Sequence, residues 1–485
     1  MVASGTLDLK PYPAYKDSGV PWLGQVPESW GIRRLRTIAR TPIKNGVGES
    51  AQSFREDWPR YIRITDIAGP RMLRQSTRAS LPPAIAAHAL VSRGDILIAA
   101  VGATYGKSYL HDGEPAQACF AGYLVRLSPS NEASPEFLSY WTQGSTYWNQ
   151  VNAHVIQSTI QNFSAARYRA LWLALPTLPD QVAIAQYLDH ADRKVRHAIR
   201  ARQQLIKLLT EQKQAIINCA VTRGLDHNVR LKPSGVSWLG DVPEHWEIRR
   251  AKQVARILRG KFTYRPRNDP SLYDGVYPFI QTGSISRIGK FITSYEQTLN
   301  ERGLAVSKLF PAGTLVMTIA ANIGDVAVLT FDACFPDSVV GFMPHKLMDR
   351  DYLYLVFLFL KPELLREAPV NTQGNLNVER IGAMSLPCPP VEEQRNIVHY
   401  VEEVTRSLED AIDVAHREID LLREYRTRLI ADVVTGKLDV RDVPVPDDET
   451  DVLPEEIERI DDVDTVDQTD DVTEGNSESS AEETA

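Results

Sequence analysis

The sequence predicts an α+β protein: two mixed α/β domains in tandem, separated by two long helices that form an antiparallel coiled coil. A pseudo-two-fold internal repeat and a disordered acidic C-terminal tail complete the expectation. Three observations carry it. A tryptophan-containing frame recurs at an offset of 216, from Gly19 to Gly235; each copy opens an insert of short strand-like runs; and each insert ends in a long heptad pattern. At ~100–200 residues per domain, a chain of 485 residues also exceeds one core.

The frame Gly19-Val-Pro-Trp22-Leu-Gly-Gln-Val-Pro-Glu-Ser-Trp30-Gly-Ile-Arg33-Arg34 returns as Gly235-Val-Ser-Trp238-Leu-Gly-Asp-Val-Pro-Glu-His-Trp246-Glu-Ile-Arg249-Arg250. Further along, Asn162-Phe163-Ser164 with Arg167 matches Asn375-Leu376-Asn377 with Arg380, and both copies stop alike, at Thr222-Arg-Gly-Leu225 and Thr435-Gly-Lys-Leu438. The expected divisions are 1–172 for the first domain (repeat segment 15–40), 173–227 for the first helix, 228–383 for the second domain, 384–439 for the second helix and 440–485 for the tail. In the frame, Trp22, Trp30, Trp238 and Trp246 flank a Val-Pro turn, which favours core packing over base stacking.

Inserts 41–161 and 257–374 share a coarse plan. Strands are expected at 62–67 and 95–101 in the first and at 279–282, 314–319 and 326–330 in the second, with helices at 136–148 and 352–367. Leu-Pro joints (Leu175-Pro176-Thr-Leu-Pro179; Leu386-Pro387-Cys-Pro389-Pro390) then end one element before a helix, since proline is tolerated ahead of a helix but not inside it.

In the helical segments, Ile184, Leu188, Ala191, Val195, Ala198, Arg202, Leu205, Leu209, Gln212 and Ile216 fall at alternating steps of four and three. Ile397, Val401, Val404, Leu408, Ala411, Ala415, Glu418, Leu422, Tyr425 and Leu429 repeat the register. Roughly 40 residues at 1.5 Å each make a rod of about 60 Å. Neither rod hides its stripe alone, so the two pair. Antiparallel pairing places the inserts at opposite ends about a two-fold axis, the dyad that duplex DNA also has between its strands.

Hydrophobic residues at 43% and charged residues at 24% exclude collagen-like, wholly disordered and disulfide-stapled classes. Cys119, Cys219, Cys334 and Cys388 stand singly, as in a reducing compartment. The longest apolar run, 352–360, is about half of a membrane span, and residues 1–19 have no signal pattern, so a cytoplasmic protein is expected. From 440 to 485, 18 acidic residues face Arg441 and Arg459; with a net charge of −8 overall, the rest of the chain carries +8. The tail reads as a solubilising extension, or as a nucleic-acid mimic folding back on a basic groove.

Catalytic signatures such as HExxH, GxSxG and the amino-methyltransferase Asn/Asp-Pro-Pro-aromatic run are missing. Gly102-Ala-Thr-Tyr-Gly106-Lys107-Ser108 is one residue short of a P-loop, and the matching stretch ends Gly324-Asp325, with an acid for the lysine. A tight strand-to-strand turn is favoured over nucleotide binding; a third reading has Lys107 meet a DNA phosphate.

Basic runs recur at the mouth of both inserts. Candidate DNA backbone contacts are Arg33, Arg34, Lys44, Lys107, Arg249, Arg250, Arg259, Lys261, Arg265 and Arg267, the later ones interleaved with Phe262 and Tyr264. Arg60 belongs to a further cluster with Arg55, Arg63, Arg71, Arg74 and Arg78; candidate base readers are Arg63, Thr65, Gln281 and Thr282.

The duplicated order of insert, Leu-Pro joint and long helix resembles the DNA-specificity subunits of type I restriction-modification systems. The Trp-Leu-Gly-x-Val-Pro-Glu-x-Trp openings, Gly94-Asp-Ile-Leu-Ile98 with Gly106-Lys107, Cys334-Phe-Pro-Asp-Ser338 and Val391-Glu-Glu-Gln394 support the likeness over roughly residues 15 to 440. One departure is Pro179-Asp180-Gln181, where the family usually shows Pro-Leu-Glu-Glu-Gln; the acidic tail has no counterpart. The resemblance implies two target-recognition domains, each reading half of a split sequence in double-stranded DNA. It implies paired helices that dock two methyltransferase subunits, and restriction/translocase subunits as further partners. S-adenosylmethionine, ATP and Mg would lie on those partners, leaving this chain non-catalytic, without cofactor or metal of its own and off the membrane. Two alternatives are a coiled-coil adaptor that binds only proteins and a P-loop-like ATPase at 102–108.

Overall fold

The computed structural model describes residues 9–446 except 52, 154–162, 265, 287–288, 321 and 368–375. Arg265, Asn162, Asn375 and the tail from 447 onward therefore lie outside the described residues. The chain divides into two compact units, Met1–Arg200 with Ile419–Ala485, and Ala201–Glu418. Each unit holds one frame, one insert and one end of each long helix.

In the first unit a four-stranded antiparallel sheet runs in the order Ser108–Leu110, Ile96–Ala99, Leu124–Leu127, Lys44–Asn45. Beside it, Arg60–Ile62 pairs parallel with Ala118–Phe120, which pairs antiparallel with Leu90–Val91. The second unit repeats both sheets: Val326–Leu329, Leu315–Thr318, Val339–Pro344, Ala255–Arg259, and Tyr273–Phe279 parallel to Ala333–Cys334 with Leu309–Phe310 on the far side. It adds Phe291–Ile292 and Gln297–Leu299 as edges. The two inserts, alike in sequence only over short runs such as Ala118-Cys119-Phe120 and Ala333-Cys334-Phe335, thus share one strand order.

Pleat period two explains why the central strands are apolar throughout. Ile96 and Ile98 enter a core with Phe137, Leu138 and Trp141, while Leu97 and Ala99 enter another with Ile62 and Phe120. Leu315 and Met317 likewise face away from Val316.

Each frame is stitched to its Leu-Pro joint by an antiparallel pair, Gly31–Arg34 with Trp172–Leu175 and Glu247–Arg250 with Ser385–Cys388. Trp30 and Trp246 are fully buried. Their shared partner is a glycine at a helix end, taken crosswise: Gly224 of the first helix abuts Trp246, whereas Gly436 beyond the second abuts Pro27 and Trp30. The expectation of core packing fails for Trp22 alone, since Trp238 packs against the second core. Trp22 is 40% exposed, and Trp238 is half-buried against Phe359.

The long helices are Leu178–Arg223 and Val391–Val434. In the second unit Arg202 Nε donates to Glu418 Oε2 at 3.0 Å and Lys213 Nζ to Glu409 Oε1 at 2.5 Å, so numbers rise on one helix as they fall on the other, an antiparallel pair. In the first unit Arg426 meets Asp192 in the same sense. The seam departs from the strict heptad. Leu205 is 46% exposed with Ile206 half-buried instead, Gln212 is exposed, Thr405 is buried in place of Val404, and Arg426 turns in where Tyr425 was expected. An α-helix of 3.6 residues per turn drifts ~20° per heptad, which over about three heptads swaps one seam position for its neighbour.

Four further expectations need correction. The strand at 62–67 stops at Ile62, because the Asp66 carboxylate takes the Arg63 N–H at 2.7 Å and closes a 3-10 turn, Ile64–Asp66. The run at 279–282 ends a strand at Phe279 and opens a short helix, Thr282–Ser286. The helix at 136–148 is two, Pro135–Trp141 and Ser145–Ala153, broken where Gly144 packs under Val434. The start of the tail is packed: Val440 is buried and the Arg441 guanidinium lies 4.8 Å over the Tyr12 ring.

Candidate nucleic-acid interface

Both inserts bring their basic mouth against the same turn of the second sheet. Gly260 passes so close to the 335–336 backbone that a Cβ there would stand 2.2 Å from the Pro336 oxygen; Gly46 does the same, at 2.1 Å from Phe120 O. Only glycine permits that approach. In the second unit the crossing gathers Arg259, whose Nε donates to Asp337 O at 2.5 Å, Arg267, whose Nη2 donates to Asp337 Oδ1 at 2.7 Å, and the exposed Lys261. Tyr264 is exposed nearby in sequence. In the first unit the same crossing carries Lys44 and Asn45, whose Nδ2 donates to Gly122 O at 2.8 Å, with Tyr123 67% exposed. Sequence reasoning did not single out Tyr123; its signal is the turn shared by 119–122 and 334–337, visible only once the strands are aligned.

Arg33 and Arg34 lie on the frame strand. Arg33 is exposed, and the Arg34 guanidinium stacks 4.3 Å over the Trp172 ring, a cation–π contact that leaves it half-buried. In the other copy Arg250 is exposed, and Arg249 Nε donates to Glu247 Oε2 at 2.7 Å. Lys107 is exposed in the turn joining Ile96–Ala99 to Ser108–Leu110. Gly106 N donates to Ala99 O at 2.8 Å, closing a hairpin that leads into a strand; with no helix after it, this turn has no helix N-terminus to hold a phosphate. In the second unit Asp325 at the matching turn pairs with Lys361 at 2.5 Å.

The arginine cluster of the first insert is not one surface. Arg60 is 3% exposed, its Nη2 donates to Arg74 O at 2.6 Å, and burial pushes its pKa down. Arg63 is spent on structure: Nε and Nη2 grip Asp66 at 3.0 and 3.1 Å, Nη1 reaches Ala51 O at 3.0 Å, and the hydrogen bonds to Asp66 push its pKa up. Both are corrected to structural residues. Arg74 Nη1 donates to Thr65 O at 2.8 Å, which leaves the Thr65 side chain exposed; Arg55 pairs with Asp57, Arg78 stacks on Phe54, and Arg71 turns to Asp189. Gln281 is exposed and donates to Gln297 Oε1 at 2.6 Å, while Thr282 opens its short helix half-buried. The predicted contacts among the described residues fall in both units.

Two residues whose role the sequence hid are Gln181 and Gln394, both fully buried. Gln394 Nε2 donates to Leu347 O and Pro389 O at 2.9 and 2.7 Å, and its Oε1 accepts from Asp349 N at 2.7 Å. Gln181 makes the same three bonds, to Glu132 O, Pro176 O and Ser134 N, at 3.0, 2.9 and 2.7 Å. Each latches the base of its long helix to its insert. Their signal was the Gln retained at matched positions after the Leu-Pro joints. Among the described residues no group of His, Cys, Asp and Glu could hold a metal ion, and no helix is long and apolar enough to cross a membrane.

The described residues form a duplicated α/β scaffold with matched basic crossings and paired helices. The chain belongs to the family of type I restriction modification DNA specificity domains, whose model matches residues 86–208 and 243–414. It is 22% identical over 410 residues to the type I restriction enzyme StySPI specificity subunit of Salmonella potsdam, spanning 79% of this chain and 83% of that one. To the EcoKI specificity subunit of Escherichia coli (strain K12) it is 23% identical over 410 residues, with the same coverage of 79% and 83%. A solved chain from a study of complex assembly and conformational transition of the type I R-M system superposes with a TM-score of 0.63 at 17% identity, covering 85% of this chain and 99% of that one; it shows the fold. The protein is accordingly the non-catalytic DNA target-recognition subunit of a type I restriction-modification system, with catalysis carried by the subunits it assembles with.

Proposed function

We propose that the two units read the two halves of a split target, and that the paired helices set the unread spacer between them. Arg33, Arg34, Lys44, Lys107, Arg249, Arg250, Arg259, Lys261, Arg265 and Arg267 hold phosphates, which fixes register without reading sequence. Thr65, Gln281, Thr282 and Tyr123 reach base edges. The helices dock two methyltransferase subunits and the restriction/translocase subunits; S-adenosylmethionine, ATP and Mg reside there. The observation that carries this reading is the shared strand order of two inserts that differ in sequence, each hung from the same frame with basic residues at the same crossing. That is what one architecture reading two different sequences requires.

Mapping methylated adenines in cells carrying and lacking the gene tests it. A gene-dependent motif of two fixed blocks separated by unread positions is expected; a continuous motif, or no gene-dependent motif, refutes it. Robust ATP hydrolysis by the isolated chain, abolished by Lys107→Ala, would favour the ATPase alternative.

A further inference from the structure

We propose that an ion pair at the same place in each unit, Arg71 with Asp189 and Lys290 with Glu402, positions each recognition domain on its helix and thereby sharpens the spacing accepted between half-sites. This rests on the split-target reading above and adds the residues that hold the geometry. In the first unit Arg71 Nη2 stands 3.0 Å from Asp189 Oδ1, and Tyr140 OH donates to the same oxygen at 2.6 Å. In the second, Lys290 Nζ stands 2.6 Å from Glu402 Oε1 and 3.3 Å from Asp351 Oδ1.

The two pairs sit at closely matched places, with the cation one residue later in the first unit. Arg71 follows Pro70, whose carbonyl takes the Leu110 N–H at 2.7 Å; the Lys290 carbonyl takes the Val328 N–H at 2.8 Å. Leu110 and Val328 are the third residues of Ser108–Leu110 and Val326–Leu329, the strands at the same place in the two matched sheets. On the helix side Asp189 lies eight residues beyond Gln181, and Glu402 eight beyond Gln394.

Each pair borders a cavity between insert and helix, at the rim of an apolar contact: Ile184 and Leu188 share a core with Phe137 and Trp141, and Ile397 and Val401 share one with Tyr352 and Val356. The glutamine latch bounds that contact at one end and the ion pair at the other, eight residues or about 12 Å along the axis. Packed apolar faces slide by small amounts, whereas a directional pair at the rim sets the tilt. At about 12 Å separation, 1 Å of slack is a tilt of about 5°, which about 30 Å away moves a contact by ~2.5 Å, close to the 3.4 Å rise of one base pair. Partly exposed ion pairs add little to stability, so the effect belongs in spacing discrimination rather than in folding.

The test uses the assembled methyltransferase complex and duplexes bearing the mapped target with its native spacer or with one base pair added or removed. Arg71→Glu and Asp189→Arg should each lower the ratio of native-spacer to shifted-spacer methylation several-fold, and their combination should recover it. Lys290→Glu and Glu402→Lys should behave alike. Arg71→Met and Lys290→Met, which keep most of the aliphatic stem and remove the charge, should lose discrimination with the fold intact by circular dichroism. Single variants with wild-type ratios overturn the inference, and so does a loss that the combined exchange fails to recover. A wild-type complex indifferent to spacer length overturns the split-target reading, and this inference with it; wild-type discrimination with indifferent variants overturns this inference alone.

Discussion

Lengthening Asp180 by one methylene should stabilise the first unit. In the second unit Glu393 caps the frame: its Oε1 accepts from Trp246 Nε1 at 2.9 Å and its Oε2 contacts His245 Nε2 at 2.8 Å. The matching residue, directly before the latch glutamine, is Asp180, and the indole Nε1 of the fully buried Trp30 has no hydrogen-bond partner among the described residues. A buried donor left unmade costs about 1–3 kcal/mol, and a hydrogen bond to a charged group contributes about 1.5–3. Glutamate loses more rotamer freedom than aspartate on ordering, roughly 0.5 kcal/mol, so the net gain for Asp180→Glu is about 1 kcal/mol or slightly more. In a unit of this size that raises the melting temperature by about 2–4 °C. Differential scanning calorimetry of the full chain reads the shift, and Trp30→Phe supplies the control: with the indole N–H removed, Asp180→Glu should add nothing. No gain, or the same gain in the Trp30→Phe background, refutes the reasoning.

Gln394→Leu leaves Asp349 N, Leu347 O and Pro389 O without their partner; a loss of about 3–5 kcal/mol in chemical denaturation is expected, against ~0.5 or less for an exposed control. Lys261→Ala should weaken binding to all duplexes alike and reduce the slope of log affinity against log salt by about 1, measured by fluorescence anisotropy. Removing residues 447–485 takes away a net charge of −16 and turns the chain from −8 to +8; non-specific DNA binding at low salt should tighten and the salt slope steepen. Burial holds the His111 imidazole below its ordinary pKa, so the folded state favours the neutral ring; its contribution is present above about pH 6.5 and is lost as pH falls below that. Melting temperatures between pH 7.5 and pH 5 should fall, and His111→Gln should flatten that slope.

The period-driven parts of the architecture were legible in the sequence: the repeat, both long helices, their joints and the central strands at 96–99, 315–318 and 326–329. Each is set by local pattern. What escaped was set by contacts distant in sequence. The shared strand order of the inserts could not be read because apolar central strands tolerate any β-branched sequence. The fate of the arginines could not be read either. Arg33, Lys261 and Arg250 remain on the surface, whereas Arg60 and Arg63, equally basic in composition, are drawn inward by Arg74 O and Asp66. A positive charge in a sequence says only that a partner exists; whether it is a phosphate or a carboxylate is decided by where the fold puts the acid.

The crosswise seating of the frames shows how unequal the two units are. In the second unit, Gly224 leads through a short connection to Leu231–Pro233, which pairs with Asp241–Pro243 and brings Trp246 onto the helix end. In the first unit, Tyr15–Asp17 pairs with Gln25–Pro27 in the same way, but the helix end that Trp30 covers is Gly436. There the connection is made of contacts alone: Tyr15 OH donates to Gly436 O at 3.0 Å across 421 residues, Lys10 bridges Asp439, and Arg441 covers Tyr12. A peptide connection holds its ends at a high local concentration whatever the state of the helix, whereas side-chain contacts across a long loop must be re-formed against closure entropy. The same junction is therefore covalent in the second unit, whereas in the first it is held by side-chain contacts and by the core that Trp30 shares with Ile430, Val433 and Val434.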